Sequence, residues 1–121
     1  MPWEIAYVES ESIVTAKSSG LTTISELDAM LAAVVQEANR HGSRRYLLDY
    51  TDSQAPGTVL NVYDRPAAYE RVGLPRSARI AVIAPPSFNQ QKFSEDVAHN
   101  SGYRLRYFDE PEAAMDWLRG S

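Results

Sequence analysis

The residues best placed to do chemistry fall in one stretch, Asp49-Tyr50-Thr51-Asp52-Ser53-Gln54-Ala55-Pro56-Gly57-Thr58. Asp49 and Asp52 are carboxylates three positions apart. Such a pair can do acid–base work when one member is held protonated, or it can simply accept nearby backbone amides in a turn. Ser53 and Thr58 are hydroxyls open to phosphorylation. Thr58 stands where a short helix would begin, so a phosphate added there would meet free amides and the positive end of a helix dipole. Ser87 follows Pro85-Pro86 and reads as the cap of a later helix. The structural reading makes Thr58 and Ser87 caps, Asp52 and Ser53 turn residues, and Asp49 a strand acid. The functional reading makes Asp49, Asp52, Ser53, Thr58 and Ser87 a partner- or ligand-binding rim, with Ser53 and Thr58 as phosphorylation candidates.

The histidines add little catalytic material. His41 precedes Gly42 and His99 lies three residues before Gly102, which places each in the last turn of a helix as a surface cation or C-terminal cap. No serine–histidine–acid order stands out. Two isolated histidines make a poor metal site, and the chain has no cysteine, which excludes disulfides, thiolate metal centres and cysteine nucleophiles. No metal and no cofactor is expected. An enzyme built on Asp49 or Asp52 would need His99 within hydrogen-bond reach, directly or through one water.

The elements that must hold these residues follow from hydrophobic patterning. Tyr46-Leu47-Leu48-Asp49-Tyr50 and Arg79-Ile80-Ala81-Val82-Ile83-Ala84 are apolar runs without alternation, the signature of strands covered on both faces of a parallel sheet. Trp3–Glu9 and Ser12–Lys17 are joined by a short link and read as an antiparallel hairpin. Gly20 marks a turn, and Thr23-Ile24-Ser25-Glu26 has the form of a capping box. From there Ile24, Leu27, Leu31, Val34, Val35 and Ala38 recur at helical spacing until Gly42.

After the strand ending near Thr51, the residues from Asp52 to Gly57 read as loop. Short helices are expected from Thr58 to Tyr63 and from Pro66 to Val72. Another helix runs from Phe88 to Asn100, a strand from Tyr103 to Phe108 and a last helix from Asp109 to Arg119, with Ala114, Trp117 and Leu118 on its buried side. Arg104 and Arg106 on one face of that strand suggest a sheet edge or a partly open face. The order ββαβααβαβα gives a single α/β domain over residues 1–121. Its five-stranded, mostly parallel sheet carries an N-terminal hairpin and four to five helices.

Charge follows the strand direction. Arg44 and Arg45, Arg76 and Arg79, and Arg104 stand at strand starts, while Asp49, Asp52, Asp109 and Glu110 stand at strand ends. Helix dipoles favour this arrangement, by ~0.3–1 kcal/mol per well-placed charge. A net charge of −4 argues against general nucleic-acid binding, which needs a basic footprint. No stretch reads as a signal peptide or membrane span, so a cytoplasmic location without membrane insertion is the expectation.

Several segments together resemble small bacterial proteins of the SpoIIAA-like (STAS-like) superfamily. They are Tyr46-Leu47-Leu48-Asp49-Tyr50, Val62-Tyr63-Asp64-Arg65-Pro66, Arg79-Ile80-Ala81-Val82-Ile83-Ala84 and the ending from Tyr107 to Leu118. The resemblance implies a STAS-type fold and a regulatory, non-catalytic role. Anti-sigma factor antagonists of this kind bind a partner kinase and are switched by phosphorylation of a serine or threonine at a helix start after the central strand. In this chain that region is Asp49–Thr58. It departs from their Asp-Ser-Ser-Gly-type signature, leaving Ser53 and Thr58 as the hydroxyls in place.

The leading expectation is therefore a protein-interaction module with a protein partner and a tendency to form homodimers. The alternative is a small apolar-ligand or lipid-binding module with a pocket lined by Tyr50, Tyr63, Phe88 and Phe93.

Overall fold

The computed structural model describes residues 3–21, 24–54, 69–84 and 91–120. Five strands, β1 (Trp3–Val8), β2 (Ile13–Leu21), β3 (Arg45–Gln54), β4 (Arg79–Ile83) and β5 (Arg104–Phe108), form one sheet in sequential order. β1 and β2 are antiparallel, and every other neighbouring pair is parallel. The helices among the described residues are α1 (Ile24–His41), α2 (Gln91–Asn100) and α3 (Pro111–Arg119), with a further helical turn at 69–71. The expected α/β architecture is present. The capping box at Thr23 and the helices expected over residues 58–68 lie outside the described residues.

The two apolar runs are the centre of the sheet, as their lack of alternation requires. Leu48 of β3 aligns with Val82 of β4, and Leu47 with Ala81. Tyr46, Leu48, Ile80 and Val82 face a core shared with Met30, Leu31, Val34 and Val35 of α1 and Ala98 of α2. Leu47, Ala81 and Ile83 face the opposite way, onto Ala114 and Leu118 of α3. Each buried Leu, Ile, Val or Met side chain among them contributes about 1.5–3 kcal/mol of hydrophobic stabilisation. Coverage of the second face is incomplete: α3 packs on β3, β4 and β5, while Glu4, Ala6 and Lys17 of the hairpin are exposed.

Helix stops set where the strands begin. Gly42 (φ 67°) and Gly102 (φ 89°) adopt the left-handed conformation that an L side chain resists. The following amide then reaches back five residues, Ser43 N–H to Ala38 O at 2.8 Å and Tyr103 N–H to Ala98 O at 3.0 Å. This Schellman closure satisfies the last helix carbonyls and turns the chain sharply into β3 and β5. Leu74 closes on Tyr69 in the same way past Gly73.

Two boundaries differ from expectation. β2 runs through Gly20 to Leu21, and β3 runs through Asp52 and Ser53 to Gln54, where the composition reads as turn and loop. The extended halves pair with each other, Ser19 with Asp52, Gly20 with Ser53 and Leu21 with Gln54. Ladder hydrogen bonds outweigh the weak local preferences of glycine, serine and aspartate.

Candidate functional site at the strand ends

Of the residues expected to form a rim, Asp49, Asp52 and Ser53 lie in the C-terminal half of β3, beside the C-terminal half of β2. Up to Lys17 and Asp49 the two strands run in step. Beyond that pair β3 uses three residues where β2 uses two, so Asp52 rather than Thr51 lies opposite Ser19. This bulge shifts the register by one residue and re-aims the side chains beyond it. Asp52 thereby comes within 3.2 Å of the Lys17 ammonium. Both groups are more than half exposed, so the pair adds at most ~1 kcal/mol to stability. The Asp49 carboxylate accepts from its own strand, from the Thr51 amide at 2.9 Å and the Thr51 hydroxyl at 2.6 Å.

The structure thus brings Asp49 and Asp52 onto one exposed stretch of the sheet, each with its own polar partner. Ser53 belongs to β3, opposite Gly20. Its side chain, together with Thr58 and Ser87, lies outside the described residues. Of the expected apolar pocket, Tyr50 is partly buried and packs against the core, while Tyr63, Phe88 and the Phe93 side chain also fall outside. Lys17 was not anticipated at this rim. No local signal marks it, because only the β2–β3 register sets it beside Asp52.

Neither histidine joins the rim. His41, in the last turn of α1, lies 3.1 Å from Glu37 and stacks on Tyr7 of β1, with ring centroids 3.8 Å apart and planes within 6°. His99 serves the far edge of the sheet: its Nε2 is 2.9 Å from the Leu105 carbonyl, which can only accept, so Nε2 carries the proton. One helical turn earlier, the Glu95 carboxylate accepts the Tyr107 amide at 2.7 Å. Those two strand groups are the ones a parallel sixth strand would engage. Glu95 and His99 take its place and close the exposed edge of β5.

Leu105 aligns with Ile80, and Ile80 with Tyr46. Asp49 is therefore on the order of 10 Å along the strands and 10 Å across them from the His99 contact. The pairing of His99 with Asp49 or Asp52 that an acid–base enzyme would need is not made. Among the described residues no group of three His, Cys, Asp or Glu side chains could hold a metal ion, and no helix is long and apolar enough to cross a membrane.

A sequence profile described as SpoIIAA-like matches residues 13–119. The chain belongs to the SpoIIAA-like family. Solved structures agree on the fold. An uncharacterised protein of the DUF3478 family from Shewanella loihica PV-4, with a SpoIIAA-like fold, is similar over 96% of this chain and 93% of its own, at 20% identity and a TM-score of 0.61. The anti-sigma factor antagonist SpoIIAA, in its unphosphorylated form, is similar over 98% of this chain and 99% of its own, at 16% identity and a TM-score of 0.57. No curated protein matches the chain. The SpoIIAA-like assignment agrees with the resemblance read from the strands and the C-terminal segment.

Proposed function

We propose that this SpoIIAA-like chain is a non-catalytic, cytoplasmic regulatory module that binds a protein partner through the rim of Lys17, Asp49, Thr51 and Asp52. The observation that carries the reading is the likeness over almost the whole length of both chains to an anti-sigma factor antagonist, a protein that acts on another protein. The rim suits the role physically. It offers a cation, two carboxylates and a hydroxyl on backbone held by the β2–β3 ladder, so a partner meets a preorganised polar surface. Phosphorylation at Ser53 or Thr58 would add negative charge to this segment of the chain, at Ser53 next to Asp52, and change how a charged partner surface docks. Self-association belongs to the same reading. The β5 edge is closed by Glu95 and His99, so two copies pair through β1.

Affinity capture under native conditions tests the reading. A specific protein should be retained by the wild type, should bind again when both components are purified, and should be weakened by Asp52→Ala or Thr58→Glu. Failure to retain any partner, or a partner indifferent to both substitutions, would sink it.

A further inference from the structure

At the opposite ends of the strands the chain carries arginines that the fold only partly uses. Arg45, Arg79 and Arg104 are register partners across β3, β4 and β5, and like charges set directly opposite one another cost stability. Two of the three have offsetting contacts. Arg45 donates to the Glu11 carbonyl at 3.1 Å. Arg79 donates at 2.7 Å to the Trp117 carbonyl in the last turn of α3, where the helix dipole favours a cation, and its guanidinium lies 5.2 Å from the centre of the indole ring.

The Arg104 side chain has no hydrogen bond or ion pair among the described residues. The guanidinium of Arg106, two positions along the same exposed face, has among the described residues only the Phe108 ring at 5.6 Å. Dipole compensation therefore accounts for Arg79 and leaves Arg104 and Arg106 unexplained.

Arg79, Arg104 and Arg106 line one open cleft of about 470 Å³, with Trp117 and His99 among its other walls and no acidic residue among the described residues of the lining. Three guanidinium groups with no carboxylate among them stand out in a chain whose net charge is −4. Guanidinium groups bind phosphate through paired N–H donors, and the indole offers an apolar surface beside them. The volume falls in the range of small-molecule sites.

We propose that this cleft binds a small organic phosphate, with the phosphate held by Arg104 and Arg106 and the organic part against Trp117. The site is separate from the Lys17–Asp52 rim, so either proposal can fail without the other.

Titration of the full-length chain with phenyl phosphate, followed residue by residue by amide and indole NMR signals, tests it. Saturable shifts are expected at Arg104, Arg106 and the Trp117 indole N–H, with affinity several-fold tighter than for inorganic phosphate. Phenol should not reproduce the shifts. The double variant Arg104→Gln/Arg106→Gln should lose about tenfold or more in affinity. Arg104→Lys, which keeps the charge and removes the forked donors, should lose several-fold while leaving the rest of the spectrum in place. Arg71→Gln, at a cation paired with Asp28 on another part of the surface, should change nothing. Absence of saturation, equal affinity for phenyl and inorganic phosphate, or indifference to both Arg104 variants would overturn the proposal.

Discussion

Tyr46 places a polar atom in the core. The residue is fully buried, and among the described residues its hydroxyl has no hydrogen-bond partner. Burial pushes the phenol above its ordinary value of 10.0, with the Arg44 charge pulling part of the way back. The unfolded chain gives up this proton near pH 10 and the folded chain only at higher pH. Above about pH 10 the folded state therefore holds the extra proton, and stability falls as pH rises; below that pH the group contributes no pH dependence. Tyr46→Phe should leave stability at neutral pH within ~1 kcal/mol of wild type and flatten the alkaline decline. Urea unfolding at pH 7 and above pH 10 checks both, and a larger loss at pH 7 would reveal a partner for the hydroxyl. Ser43 shows the opposite treatment of a buried hydroxyl. It donates to the Ser12 carbonyl at 2.5 Å and accepts from the Arg45 amide at 3.3 Å, tying the first turn, where Ser12 has φ 57°, to the start of β3.

Both α1 and α2 end on a left-handed glycine. Glycine at a helix end has one strong physical reason to be there, and Gly42 and Gly102 were both legible as stops before any coordinates. The extension of β3 over Asp52 and Ser53 was not, because strand pairing depends on a neighbour some thirty residues away in the chain. Edge protection was legible only by half. Arg104 and Arg106 on one face marked β5 as an edge, but the closure is supplied by Glu95 and His99 from α2. Glu95→Ala/His99→Ala should speed hydrogen exchange at the Tyr107 amide. It should also drive association beyond the dimer expected for the wild type, as sedimentation at micromolar concentration would register. Unchanged exchange and an unchanged sedimentation profile would show that another group guards this edge.

At the scale of the molecule, one sheet separates two polar regions by opposite strand ends. The Lys17, Asp49 and Asp52 rim lies toward the C-terminal ends, and the Arg79, Arg104 and Arg106 cleft toward the N-terminal ends. What holds them apart is the two-faced core at β3 and β4. Leu48 is 2% exposed and sits opposite Val82 beneath α1 and α2. Leu48→Ala should cost about 2–5 kcal/mol by lost burial and a residual cavity. Denaturant unfolding would measure it, and a cost below ~1 kcal/mol would show that the core collapses around the gap. That loss should appear as reduced stability rather than as a specific defect at either polar region.

The sequence by itself determined the fold class. Unalternating apolar runs need cover on both faces, helical periodicity ends at glycine, and the alternating Tyr103–Phe108 segment marks an edge; these are short-range consequences of side-chain chemistry. It also carried enough strand and terminal pattern to resemble the SpoIIAA-like family. Which charges meet was decided by tertiary structure alone. The bulge that delivers Asp52 to Lys17, the alignment that sets Arg45, Arg79 and Arg104 in a row, and the helix turn that substitutes for a sixth strand are all matters of register and docking. Register is settled by how the faces pack together, and a one-residue slip would present a different set of side chains to every neighbour.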